Sequence, residues 1–511
     1  MALPETKNPV PEDDDGRTAL EDEFIDEVEE DAEMEAPGRR KMQNLLNLMS
    51  GDPVPIRVHD VVIQGNVKTK SSLIETEMWE VFGSVTTMQE LVQAAAMANV
   101  KLRQFDIFET VSITLDAGPM ELPDTANIFV KVVEESVPVS GEFGVYTKPG
   151  DSKSQSVELS MKFKNLFGIA DIWDISGVCG WNQITEISTG VYLPRFKSLP
   201  TPVTARVTLH TQDWLKFSSY KENMLGLNVS LFSKGYHDLA YNLIWRNLSD
   251  PSHISSKSIR RHLGHTMHSS LKYTFKIDRR NSHIRPTGGY AFMSASQIGG
   301  FGDSRFSRFI RQEFDLQGAA SLGFRNTALN FGISAGIILP WGREFMSASS
   351  PISDRFYIGG QSSLVGGLDG PLSLSGFKPR GLGPTDFKRQ FPRNSGDGDS
   401  DFSPETDALG GDLAVTSFSD ISFDLPFKLL RESGIYGHTF ICAGNLVKLT
   451  ENEYKRFSFQ DFLSSFRCSV GAGIVIPTKI FCIEINYCYI LKKFGHDHGK
   501  TGIQFSFSSP S

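Results

Sequence analysis

Residues 482–489 read CIEINYCY, and their alternation decides the architecture. Ile483, Ile485, Tyr487 and Tyr489 share one side of an extended chain, while Cys482, Glu484, Asn486 and Cys488 share the other. The same period of two recurs upstream. Val203, Ala205, Val207 and Leu209 alternate with Thr204, Arg206, Thr208 and His210. Leu225, Leu227, Val229 and Leu231 alternate with Gly226, Asn228 and Ser230, and Ile421, Phe423, Leu425 and Phe427 with Ser422 and Asp424. The polar side includes Arg206, Asp424 and Glu484, so that face is expected to be wet.

Sixteen such segments lie between Ser140 and Ser508, and no helical periodicity interrupts them. An even count suits a closed antiparallel membrane barrel, whose strands are apolar on one face only. A β-sandwich would alternate in the same way, but so long a helix-free stretch is unusual for one soluble domain. No window approaches the roughly 18 consecutive apolar residues of a spanning helix. The best runs, Gly336–Pro340 and Gly473–Pro477, are far shorter. The expectation is a mainly β chain with a sixteen-stranded antiparallel transmembrane β-barrel over residues 138–511.

One connection is too long for an ordinary turn. Between Pro340 and Gly411 the chain is rich in Gly, Ser, Pro and charge, which predicts a loop over about residues 341–410 that folds into the lumen. Phe356–Pro384 (FYIGGQSSLVGGLDGPLSLSGFKPRGLGP) has too many hydrophobes for a mere linker, whereas Gln390–Asp407 reads as disordered.

Ahead of the barrel, residues 53–137 read as a small β-α-α-β-β unit. Val58–Ile63 is an apolar strand closed by Gly65-Asn66. Leu73, Ile74, Met78 and Trp79, then Leu91, Ala95, Ala98 and Leu102, mark two helices. Val111/Ile113/Leu115 and Ile128/Val130/Val132 mark two strands separated by Gly118-Pro119. Residues 1–52 are expected to be an acidic disordered tail and linker. Residues 1–36 carry 15 acidic side chains against Lys7 and Arg17, so the net charge of −9 hides a balance of +4 over the rest. The acidic start resembles neither a secretory signal nor an organelle presequence. Arg39–Ser50 (RRKMQNLLNLMS) reads as a linker helix.

Reaction chemistry is not signalled. The five cysteines lack CxxC spacing, and Cys482 and Cys488, on one strand face, lie roughly 20 Å apart. Gly499-Lys500-Thr501 lacks the first glycine of a phosphate loop and precedes a strand. His496-x-His498 has no third ligand nearby, so no metal site is implied. There is no G-x-S-x-G, and basic residues do not cluster as a nucleic-acid footprint. No catalytic residues, cofactor or nucleic-acid partner are expected, and the chain reads as a non-enzyme.

Three motif groups remain. The loop holds Ser375-Gly376-Phe377, Arg380 and Gly383-Pro384. Late strands hold Phe440-x-Cys442-x-Gly444 and Arg467-x-Ser469-x-Gly471-x-Gly473. The last strand holds Lys500-x-Gly502-x-x-Phe505-x-Phe507, with Ile503, Phe505 and Phe507 expected toward lipid and Gln504 and Ser506 toward the lumen. Together with the single front unit (Gly65-Asn66 after its first strand, Phe105 or Phe108 before its second) these resemble the POTRA-plus-barrel outer-membrane assembly superfamily. Within it they resemble the core-subunit family of the mitochondrial sorting and assembly machinery. The resemblance covers residues 56–511.

It implies that the front unit is a POTRA domain, that the inward loop ends in an Arg-Gly-Phe motif, and that the last strand is a β-signal. Two positions depart together: Ser375 stands for the loop Arg, and Cys442 for the Asp which that Arg meets in bacterial relatives. Losing both avoids a lone lumenal charge, and Arg380 is a candidate substitute cation. The function implied is insertion of β-barrel precursors into the mitochondrial outer membrane by strand pairing at a seam between the first strand (about Gly141 to Tyr146) and the last (about Thr501 to Phe507). Precursor proteins, further subunits of a sorting and assembly complex, and the lipid bilayer are the partners. The rivals are a polypeptide-translocating channel of the chloroplast outer envelope and a metabolite porin, which the front unit and long loop disfavour.

Overall fold

A computed structural model describes residues 54–147, 155–180, 185–196, 201–233, 235–301, 308–323, 326–342, 347–360, 368, 373–389, 406–478 and 482–508. The acidic tail, the Arg39–Ser50 segment and residues 390–405 lie outside them, as does the side chain of Phe507. The chain divides into two compact units at Glu135/Ser136.

The first unit runs β1 (Arg57–Gln64), α1 (Ser71–Phe82), α2 (Met88–Arg103), β2 (Phe108–Ala117) and β3 (Thr125–Glu134). Its sheet order is β1-β3-β2, with β1 parallel and β2 antiparallel to the central strand. Thr87 caps α2 by accepting from the Glu90 amide, and Glu90 answers from the third helical position, so two end donors are satisfied reciprocally. Ile74, Met78, Phe82, Leu91, Ala98 and Leu102 bury one side of the helices against Val111, Ile128, Val130 and Val132. Two expected core positions shift. Trp79 is exposed, because the buried stripe of α1 runs through Ile74, Met78 and Phe82, and Ala94 is buried more deeply than Ala95.

The second unit contains one sixteen-stranded antiparallel sheet. Its strands begin with β4 (Val139–Thr147), β5 (Gln155–Lys164), β6 (Ile172–Gly180), β7 (Thr185–Leu193) and β8 (Val203–Asp213). After α3 (Leu215–Ser218) come β9 (Lys221–Ser233) and β10 (His237–Ser249). After α4 (Lys257–Arg260) come β11 (Gly264–Asp278), β12 (Gly289–Gly299), β13 (Phe309–Ser321) and β14 (Ala328–Pro340). A separate two-stranded ribbon, β15 (Thr385–Phe387) with β16 (Thr406–Ala408), belongs to the long loop. The sheet resumes with β17 (Leu413–Asp424), α5 (Lys428–Glu432), β18 (Tyr436–Val447), α6 (Phe459–Ser464), β19 (Arg467–Pro477), β20 (Cys482–Lys492) and β21 (Gly502–Ser508). The four α-helices of this unit among the described residues are only four to six residues long and confined to connections. Leu425 and Phe427 fall beyond β17, since Phe427 leads into α5.

The outward face is apolar and open: Tyr487, Tyr489, Ile503 and Phe505 are each more than half exposed. With no water in a bilayer core, every backbone group must find a partner within the sheet, which the ladders between neighbouring strands supply except at the outer edges of its first and last strands. The inward face departs from expectation. Glu484, Asn486 and Asp420 are almost fully shielded rather than wet. His438 bridges them, its Nδ1 2.9 Å from Asp420 and its Nε2 2.7 Å from Asn486. Polar side chains on that wall satisfy one another. Across β6–β8, Arg206 remains open and pairs with Asp174 at 2.7 Å.

Candidate functional site

The long loop fills the lumen with hydrophobes. Phe356, Ile358, Leu374, Phe377 and Leu382 pack on Phe309, Ile338, Phe440, Cys442, Leu446 and Cys488 of the strands. Gly376 and Gly383 both have positive φ, and a Cβ on Gly383 would sit 2.6 Å from Leu446 Cδ2. Those two turns therefore require glycine. Thr406 and Asp407, expected in a disordered stretch, belong to β16. Asp407 is buried, accepting from Ser219 Oγ at 2.6 Å and the Ser256 amide at 2.8 Å. Hydrogen bonds to partners far away in sequence order it, and composition gives no sign of these.

Ser375-Gly376-Phe377 docks on β19 and on the last hairpin. Ser469 Oγ donates to Ser375 O at 2.6 Å, and the Lys500 amide to Gly376 O at 2.7 Å. Phe377 bridges Gly499. The Lys378 amide donates to His498 O, and the His498 amide to Gly381 O, at 2.9 and 2.8 Å. Gln504 of the last strand lies 3.5 Å from the Gly376 amide. The loop is thus stitched by backbone to the turn that launches β21.

Ser375 and Cys442 meet each other, both buried, so a neutral pair occupies the place expected of an ion pair. Arg380 does not replace it. Its guanidinium lies 3.4 Å from the Trp214 ring centre and 3.8 Å from that of Tyr357, and donates to Ser218 Oγ and the Tyr220 hydroxyl. The cation pins the loop to the β8–β9 connection instead. Nearby, Asp354 of the loop pairs with Arg246 of β10 at 3.2 Å, and Arg246 with Glu222 of β9 at 2.8 Å. Sequence reasoning missed Trp214, Arg246 and Asp354, because no period or spacing links residues more than a hundred positions apart, and Tyr357, because its place against Arg380 depends on how the loop folds.

The glycines of the late strands make room. A Cβ on Gly471 would strike the Phe440 ring at 2.4 Å, one on Gly473 would strike Asn486, and Gly444 lies under Leu374. Arg467 braces the final turn, with Nε and Nη2 3.0 and 3.1 Å from Asp497 and Nη1 2.7 Å from Asn445. Burial, and after it the Lys378 charge, hold the His498 imidazole below its ordinary pKa.

The first and last strands of the sheet are β4 and β21, and among the described residues no ladder joins them. On β21, Gln504 and Ser506 are buried inward and Ile503 and Phe505 exposed outward. Gly502 has φ +121°, with nothing within 4 Å of the place a Cβ would take. Glycine is needed there for its backbone conformation rather than to avoid a neighbour.

A description of the Omp85 superfamily domain matches residues 165–509. The chain belongs to the Omp85 superfamily. Among relatives of this Omp85 protein, sorting and assembly machinery component 50 homolog B of Xenopus laevis is 27% identical over 93% of this chain and 94% of its own length. The Homo sapiens homolog is 27% identical over 87% and 89%. The crystal structure of BamA from Haemophilus ducreyi lacking POTRA domains 1–3 superposes with a TM-score of 0.69, covering 89% of this chain and 84% of that one at 16% identity. That likeness shows a shared fold.

Proposed function

We propose that this chain inserts and assembles β-barrel precursor proteins in the mitochondrial outer membrane, as a subunit of a sorting and assembly complex. The observation that carries the reading is that β4 and β21 lie against each other with no ladder joining them among the described residues. An open strand edge in lipid leaves backbone groups without partners, each costing several kcal/mol. An incoming strand that pairs with that edge removes the cost for both chains. Strand pairing and lipid burial drive the step, so no nucleotide is required. The names of the relatives, as components of a sorting and assembly machinery, favour this reading over a translocation channel.

The loop's backbone stitching to the turn before β21 holds the edge strand in place from inside, while Gly502 lets that strand begin in a conformation other residues resist. A labelled barrel precursor imported into organelles depleted of this chain should stay extractable by carbonate, whereas a matrix-targeted precursor should import normally. Equal loss of both would favour a translocating channel.

A further inference from the structure

The connection between β18 and β19 carries an apolar surface that the insertion reading does not use. On β18 the even-numbered residues His438, Phe440, Cys442 and Leu446 are buried inward, while Thr439 and Ile441 are exposed outward. Asn445 is in the outward register yet fully buried. The C-terminal end of α6 covers it: Asn445 Nδ2 donates to Phe462 O at 2.8 Å and lies 2.7 Å from Ser465 Oγ. Lys492 of β20 ties the same helix end, donating to Ser464 O at 2.5 Å. The turn is therefore fixed against the outer side of the rim, with Phe462 packed between Phe457 and Phe466.

What α6 leaves open is apolar. Phe459 is 67% and Leu463 54% exposed, four residues apart on one helix side, beside the partly exposed Tyr454 and Phe457. Exposed Lys455 and Arg456 stand in the same connection with Glu453 and Asp461, while Glu451 is bound by Lys448. Lys492, which ties the α6 end through Ser464, directly follows Leu491, and Tyr489 and Leu491 are exposed on the outward face of β20. Aromatic rings mixed with Lys and Arg, next to a lipid-facing wall, match the chemistry of the bilayer interface.

We propose that Tyr454–Leu463 forms an interfacial foot, with Phe459 and Leu463 inserted at the headgroup level of the leaflet at this rim and Lys455 and Arg456 meeting anionic lipid phosphates. The inference rests on the reading of the sheet as a bilayer-spanning barrel. Asn445, which holds the foot, also accepts from Arg467, the brace of the final turn. Lipid contact at the foot therefore steadies the wall beside the seam.

The test uses the full chain in a Cys179→Ser, Cys468→Ser background, reconstituted into phosphatidylcholine vesicles with or without phosphatidylglycerol. An environment-sensitive fluorophore is placed at Phe459→Cys and, separately, at Ile333→Cys, an outward position of β14. Shallow nitroxide lipids should quench the Phe459→Cys label at least about threefold more than aqueous iodide does. That quenching should increase with phosphatidylglycerol, and Lys455→Gln with Arg456→Gln should abolish the increase. If iodide reaches the Phe459→Cys label while the Ile333→Cys label stays in lipid, or if neither quencher reaches Phe459→Cys, the foot is overturned. Quenching indifferent to phosphatidylglycerol overturns its anionic-lipid half. Iodide reaching Ile333→Cys as well sinks the barrel reading itself.

Discussion

Arg380 is the residue whose surroundings say most about how the loop is held. Two partly buried rings sandwich its guanidinium and two buried hydroxyls accept from it, the arginine itself being almost fully shielded from water. A desolvated cation–π contact is worth about 2 kcal/mol, so Arg380→Ala should release the loop from the β8–β9 connection and expose it to added protease. Ser375→Ala should change little, because the bond from Ser469 goes to the backbone oxygen of residue 375. Equal sensitivity of the two variants and the parent would contradict this. His498 supplies a pH dependence. Its imidazole is held below the ordinary value, so the docked state favours the neutral ring. The docking contribution is therefore complete above the ordinary pKa of about 6.5 and is lost as pH falls through the lowered value. Protease cleavage of the loop should accelerate on acidification from about pH 7.5 to 5, and His498→Gln should flatten the profile. A flat profile in the parent would remove His498 from the account.

The last strand concentrates the mechanism at the scale of elements. Gly502→Val should still permit insertion but hamper client exchange, since a β-branched residue resists φ +121°. Phe505→Ser with Phe507→Ser should prevent assembly, because it removes the outward Phe505 ring and the Phe507 ring expected beside it from lipid, each worth less than the ~3–5 kcal/mol of a packed core aromatic. Carbonate resistance of the newly imported variants measures both, and normal insertion of the double variant would remove the β-signal role. These strands were legible in sequence because a period of two is local. In CIEINYCY the outward and inward sets fall as the alternation says. Shielding of Glu484 and Asn486 was not legible, since it depends on what stands across the lumen. Arg380's partners were hidden for the same reason, and the order of Asp407 rests on Ser219 and Ser256, far away in sequence.

For the molecule as a whole, the two units make separate claims. The first has its own sheet, a reciprocal helix cap and a closed apolar core. Residues 53–137 expressed alone should therefore unfold in one cooperative transition, and a featureless melt would move the boundary. The second unit is the Omp85 barrel, and the central claim concerns where its clients enter. Single cysteines at Ile503→Cys on β21, Phe143→Cys on β4 and Leu316→Cys on β13 can be oxidised against a cysteine in the last strand of an arrested precursor. The account predicts mixed disulfides at β21 and β4 and none at β13. Disulfides at β13, or a precursor that assembles without ever linking to β21 or β4, would contradict it.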